Sequence, residues 1–291
     1  MKNYEHIQSI EKCKGLTRKQ FIDQYVKKSL PVVVADKPQW SAFQKFTPAF
    51  FKSQYGHIER VINGKTYNFA ELLDLCAASE PGNTSPYPII FDMKVYFPEL
   101  IPDIKPSSNY GKTNRLWSPL LPKLFSKRIA NLNELFFGGK GCSFPVVHID
   151  DFWVHTQLTQ IFGDKEFILY APDQKEFMYP DPNNPRMSLV NNIHEPDLEK
   201  FPLFKNAKAL KVIVHPGESI YIPSGWWHTT YSHDFNLSYS TDHLNAWNWN
   251  IFMNENYKAV KINHPNLAWI VKIYTYTVGR VLSIQEFFLK P

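Results

Sequence analysis

Two fragments far apart in the chain constrain its fold most: His148-Ile149-Asp150, and the run Gly217-Glu218-Ser219-Ile220-Tyr221-Ile222-Pro223-Ser224-Gly225-Trp226-Trp227-His228. Together they carry two imidazoles and one carboxylate. In an extended strand, side chains at i and i+2 share a face, so His148 and Asp150 can reach one metal ion while Ile149 packs behind them. The third ligand has to come from elsewhere. His228 qualifies because it follows a short apolar strand, Ser219 to Ile222, which Pro223 ends by removing a ladder donor. Pro216-Gly217 suits the two central positions of a type II turn, with Gly taking positive φ, and launches the strand toward His228. Either fragment alone is weak, since a lone His-x-Asp occurs by chance and a lone strand-end His is usually a hydrogen-bonded core or rim residue. With the turn, the strand, the Pro stop and Trp226-Trp227-His228 in order, the pair predicts a mononuclear iron site, and a fold that makes neighbours of distant strands.

Two histidines and one carboxylate on one face of an octahedron leave the opposite face open for a co-substrate and O2, as in non-haem Fe(II) oxygenases. Between the ligands, Thr156 to Phe162 and Glu166 to Tyr170 are β-type runs, and Gly163-Asp164 is a good two-residue hairpin loop. Lys165 opens the second run and by alternation shares a face with Phe167 and Leu169. Pattern alone makes a lysine beside a hairpin loop a solvated edge residue.

From about residue 130 onward, short β runs separated by turns have the form that a double-stranded β-helix requires. The expected architecture is mainly β with helices: N-terminal helical and strand elements over 1–130, a jelly-roll core over 131–245, and a C-terminal helical extension over 246–291. In the first part, helices are expected at Thr17 to Lys28, capped by Thr17, from Pro48 after Thr47, and at Phe69 to Ala78, with a strand at Pro31 to Ala35. Glu80 to Pro86 reads as a turn-rich loop. Tyr179 through Pro202 is too rich in proline for regular structure, and is either a substrate lid or a solvated crossover.

At these residues the chain resembles the JmjC or cupin-like family of Fe(II)- and 2-oxoglutarate-dependent oxygenases, and within it the small hydroxylases related to the asparaginyl hydroxylase that inhibits hypoxia-inducible factor. The likeness rests on Val147-His148-Ile149-Asp150, on Gln160 through Pro172, on the Trp-Trp-His block, and on Ser29-Leu30-Pro31-Val32-Val33-Val34 with Trp40 and Phe46-Thr47-Pro48. It implies a catalytic metal set of His148, Asp150 and His228, with Fe(II), 2-oxoglutarate and O2 as cofactor and co-substrates. It assigns Lys165 to the distal carboxylate of 2-oxoglutarate, which a point charge on a flexible stem suits. Thr156, a strand-borne hydroxyl near the metal, is the second expected contact, against its ordinary role as a β-branched strand residue. Two positions depart from the family's pattern: Pro145 stands where a Ser or Thr is frequent, and Asp242 where an Asn is common. The tyrosine that assists Lys165 is then Tyr87 or Tyr96.

The activity so implied is hydroxylation of an amino-acid side chain in a protein or peptide, with small molecules also open as substrates. N-methyl-lysine demethylation is the second enzymatic reading, and a non-catalytic cupin-fold binding protein the third. Asp151, Trp153 and His155 flank the ligands and are candidates for shaping selection.

With 291 residues and 44% hydrophobic content, the chain can bury one large core. Its three cysteines, Cys13, Cys76 and Cys142, are scattered and lack metal-ligand spacing, which speaks against a disulfide framework and for a reducing compartment. No apolar leader or bilayer-length apolar run is visible, so a cytoplasmic location is expected, with the nucleus open in a eukaryote. A net charge of +5 is mild and dispersed, giving no strong nucleic-acid signal. Its densest local run, Lys123 to Arg128, reads as a solvated helix face. The apolar C-terminal helices, Ala268 to Tyr274 and Val278 to Phe288, must pack on something; a second copy of the chain is preferred over the chain's own barrel.

Overall fold

A computed structural model describes residues 8–106, 114–121, 133–193 and 195–288. The basic run Lys123 to Arg128 lies outside the described residues.

Two sheets face each other. The larger is built from β2 (Lys12–Cys13), β3 (Val32–Val34), β11 (Ser219–Ile222), β8 (His155–Phe162), β13 (Asn236–His243), β7 (Asn133–Gly138) and β6 (Ile89–Asp92), in that order. The smaller runs β1 (Gln8–Ser9), β10 (Leu210–Val214), β9 (Lys165–Tyr170), β12 (Trp227–Ser232). A separate hairpin pairs β4 (Glu59–Ile62) with β5 (Lys65–Asn68). The chain between β7 and β8 adds an irregular fifth member to the smaller sheet, since Phe144 donates to the Thr230 carbonyl and His148 and His228 exchange both backbone bonds. The sheets are not closed into a barrel; they form a jelly roll. Strands before residue 131 enter both sheets, so the N-terminal part supplies edges to the roll as well as packing against it.

Local signals act where the sequence places them. Thr17 and Gln20 form a reciprocal capping box on α1 (Arg18–Phe21), which continues as a π-turn over Ile22–Val26. Thr47 caps α3 (Pro48–Tyr55), which follows the short α2 (Ala42–Lys45). Asn68 caps α4 (Phe69–Ala77). Gly217 has φ +94° with Glu218 N–H donating to the His215 carbonyl, the expected turn.

Two expectations about connectivity are corrected. Gly163-Asp164 is not a hairpin loop: β8 pairs with β11 and β13, and β9 pairs with β10 and β12. Both edges of β8 are taken, so β9 has to continue in the facing sheet, and Gly163 turns that corner. At φ +68°, a Cβ there would meet the Phe235 carbonyl oxygen at 2.1 Å, so only glycine fits. For the same reason the apolar strand Ser219–Ile222 does not carry His228. It lies in the larger sheet, and after the Pro223 stop the chain crosses to the smaller one, where His228 is the second residue of β12.

Alternation divides the interior of the roll into two walls. On one, Val33, Leu158, Phe167, Leu169, Val212, Val214, Ile220 and Ile222 form an aliphatic cluster. On the other, β13 presents Ser238, Ser240 and Asp242 toward Gln160, Leu158 and Thr156 of β8, and toward Phe136 and Glu134 of β7. Outside the larger sheet, an aromatic cluster with Phe51, Phe69, Phe91, Phe97 and Phe137 locks α3 and α4 in place. Outside the smaller sheet, Met178, Val190, Phe201 and Phe204 cover Ile168, Tyr170 and Trp227. The proline-rich segment is thus irregular, as expected, but it is packed against the sheet: Ile149 donates to the Arg186 carbonyl and Ser188 to that of Val147.

The C-terminal pair α6 (Trp249–Asn263) and α7 (Ala268–Phe288) packs through Trp249, Phe252, Met253, Val278 and Leu282 onto Leu116, Val154 and Leu244. Arg115, 3% exposed, pins α7 by bonding both oxygens of Glu286. The other face of α7 leaves Trp269, Ile270, Ile273, Tyr276 and Ile284 exposed. Among the described residues, no helix is long and apolar enough to cross a membrane.

Candidate metal centre

The structure brings His148, Asp150 and His228 together, with one ligand atom from each lying within 4.8 Å of the others. Asp150 Oδ1 is 3.4 Å from His228 Nε2 and 3.7 Å from His148 Nε2, and the two rings are 4.3 Å apart between centroids. The histidines are mutual partners, bonded backbone to backbone across the irregular strand and β12 at 2.9 and 2.8 Å. Each Nδ1 lies beside the carbonyl two residues earlier, Val146 for His148 at 3.3 Å and Trp226 for His228 at 3.1 Å. A carbonyl at Nδ1 fixes the tautomer with the proton there and leaves Nε2 as a lone pair. Phe144 stacks on the His148 ring at 4.2 Å. This donor set fits a divalent transition metal.

Asp150 departs from the strand geometry expected of it. It sits just beyond the His148 bridge and leads into a tight turn in which Phe152 and Trp153 both have positive φ, 59° and 55°. For bulky residues this backbone is strained. The turn reverses the chain so that Thr156, entering β8, donates its hydroxyl to Asp150 Oδ2 at 2.5 Å. Asp242, the cross-strand partner of Thr156, lies 3.1 Å from the same hydroxyl oxygen.

Electrostatics follow from burial. Burial, with His228 nearby, pushes the His148 imidazole down to about 3 and keeps it neutral. Burial also works against a charge on Asp150, but His228, then His148 and the Thr156 hydroxyl, hold its carboxyl well below the usual range. His228 moves up because the Asp150 carboxylate outweighs burial. Asp242 is pushed far up, by burial first and then by Asp150 and Glu134, so it is protonated and can donate to the Thr156 oxygen. Burial, Asp92 and Asp150 raise Glu134 to about 7.

Lys165 is 1% exposed and points into the roll, as alternation requires and as an edge lysine would not. Its Nζ is 3.5 Å from Ser238 Oγ and lies over the rings of Phe136 at 5.6 Å and Tyr87 at 5.7 Å. Among the described residues no carboxylate pairs with it. Of the two candidate tyrosines, Tyr87 is therefore the neighbour; Tyr96 bonds Arg60 at 2.5 Å on the outer side. Tyr87 also lines a cavity of about 540 Å³ with Lys65, Ser85, Cys142 and Ser143. Asp151 is exposed and ion-paired with Arg186. The Trp153 carbonyl accepts from Ser224 and Asn248, and His155 faces away from the metal set, accepting from Ser224 N–H at Nδ1.

Ser238, Phe144 and the link from Thr156 to Asp150 were not anticipated from the sequence. The alternation of polar residues along Asn236 to Asp242 was a signal for Ser238; nothing local signals the other two.

A jelly roll that gathers two histidines and an aspartate between its sheets defines a candidate metal site of the cupin type. The chain matches the cupin-like domain family over residues 49–261, most of its length, and belongs to that JmjC-related family. It is 34% identical over 115 residues to "Arginine-specific demethylase JMJ20" of Arabidopsis thaliana, spanning 39% of this chain and 24% of that protein. To "HSPB1-associated protein 1" of Homo sapiens it is 31% identical over 113 residues, 38% of this chain and 23% of the relative. To "tRNA wybutosine-synthesizing protein 5" of Gallus gallus it is 31% identical over 91 residues, 30% and 28% of the two chains. The matches span about a quarter of each of these relatives.

Proposed function

We propose that the protein is an Fe(II)- and 2-oxoglutarate-dependent oxygenase that hydroxylates an amino-acid side chain of a protein or peptide. The observation that carries this reading is the buried Lys165 ammonium beside the metal set. An ammonium removed from water without an anion is strongly unfavourable, so its position calls for an anionic occupant. A dicarboxylate that reaches the metal with one end and Lys165 with the other meets both requirements.

Iron with 2-oxoglutarate and O2 would supply the oxidising power to hydroxylate an unactivated C–H bond, with succinate and CO2 as the other products. His148, Asp150 and His228 would hold the metal by one face. Lys165, with Ser238 and Tyr87 about it, would orient the co-substrate. Phe144 and Phe136 narrow the surrounding space and exclude water. The Arabidopsis relative's name supports a second reading, oxidation of an N-methyl group by the same chemistry. A second copy of the chain is the proposed cover for the exposed face of α7; Ile273→Glu is expected to yield a monomer from a wild-type dimer in light scattering.

Succinate release with and without a pooled peptide library tests the activity. Succinate that requires His148, Asp150 and His228 and rises with certain peptides supports the reading, and formaldehyde in its company would favour demethylation. Turnover that persists without 2-oxoglutarate overturns it.

A further inference from the structure

We propose that Thr156 is a positioning residue for the metal: its hydroxyl ties the outer oxygen of Asp150 to the sheet so that the inner oxygen alone faces the histidines. This rests on the reading of the three side chains as a metal site. The histidines are each fixed twice, by their mutual backbone pair and by a carbonyl at Nδ1. Asp150 has neither device. It lies outside the named strands, at the mouth of a turn with two positive-φ aromatic residues, and such a backbone alone would leave the carboxylate free to rotate.

Thr156 supplies the missing anchor. It sits in β8 between two paired strands, opposite Ile222 on one side and Asp242 on the other, so its backbone is held from both edges. A β-branched side chain is stiff at χ1, and Asp242 Oδ1 at 3.1 Å steadies the hydroxyl from behind. The hydroxyl's proton goes to Asp150 Oδ2 at 2.5 Å, leaving Oδ1 toward the two Nε2 atoms. A carboxylate with one oxygen engaged in this way binds a metal through the other. Three single-atom ligands on an octahedral ion leave three positions open, whereas a bidentate Asp150 would take one of them. The same geometry removes Thr156 from the co-substrate contacts expected of it, because its hydroxyl is enclosed between two carboxyl groups.

Co(II), an oxygen-stable probe for the Fe(II) site, distinguishes the two roles. Affinity and visible absorption of the Co(II) protein are measured for wild type, Thr156→Val and Thr156→Ser, followed by 2-oxoglutarate titration of each loaded form. The proposal predicts that Thr156→Val weakens Co(II) about 10- to 100-fold and shifts its absorption bands. Thr156→Ser should restore both, with 2-oxoglutarate affinity of the loaded forms nearly unchanged. Thr156→Ala gives the same reading if the valine variant does not fold. A valine variant that binds Co(II) like wild type but loses 2-oxoglutarate overturns the proposal and makes Thr156 a co-substrate ligand. Wild-type protein that binds neither Co(II) nor Fe(II) overturns the metal site itself, a failure visible before any variant is compared.

Discussion

The two walls of the jelly roll are built by the same period-2 alternation and buried to similar depth, yet their chemistry is opposite. One is the aliphatic cluster around Ile220, Leu158, Phe167 and Leu169. The other presents Ser238, Thr156, Asp242, Lys165 and the metal set. Apolar burial stabilises by roughly 25 cal/mol per Å² of area removed from water. A buried ammonium without an anion and a carboxyl forced to keep its proton both work against folding. The aliphatic wall thus carries the stability that lets the polar wall remain unsatisfied until its ligands arrive.

Substitutions that exchange the properties of the walls should separate stability from function. Asp150→Ala or His228→Ala has the largest expected effect: metal binding is lost and turnover abolished, with the fold kept, as read by anaerobic Fe(II) titration and circular dichroism. Ile220→Ala, on the aliphatic wall, should lower unfolding free energy by about 2–5 kcal/mol in urea titration while leaving metal affinity unchanged. Lys165→Met should weaken 2-oxoglutarate about 10- to 100-fold through loss of a buried charge partner, yet raise the melting temperature of the ligand-free chain. A ligand-free melting temperature that falls instead would show that Lys165 has a stabilising role of its own.

The smallest effect expected is on the pH profile of stability. His155 is pushed down to about 3, by burial and then by His243, and burial takes His243 to about 4. Unfolded histidines take up protons near 6.5, so the native state binds fewer protons below that pH and loses stability as pH falls from 6.5 toward 3. Glu134 acts in the opposite direction: raised to about 7, it is protonated in the fold where the unfolded carboxyl is not, so its contribution is lost as pH rises from 4.5 through 7. Melting curves should show a shallower acid limb for His155→Gln/His243→Gln, and a flatter profile between pH 4.5 and 7 for Glu134→Gln.

The metal set, the Lys165 orientation and the caps at Thr17 and Thr47 were legible in the sequence because each depends on local spacing or on alternation within one strand. Sheet membership was not. Gly163-Asp164 has the composition of a hairpin loop, and only the occupied edges of β8, set by residues 60 and more positions away, turn it into a corner between sheets. His228 crosses sheets for the same reason. The bond between Thr156 and Asp150 depends on Phe152 and Trp153 taking a backbone conformation that bulky residues disfavour, which no propensity rule anticipates.

The most direct test of the polar wall is an anaerobic titration of 2-oxoglutarate into the protein with and without Fe(II), following bound co-substrate and the metal-to-ligand absorption band. The account predicts stoichiometric binding that needs the metal, yields the band, and weakens in Lys165→Met. Iron held by His148, Asp150 and His228 with no metal-dependent binding of 2-oxoglutarate would contradict it.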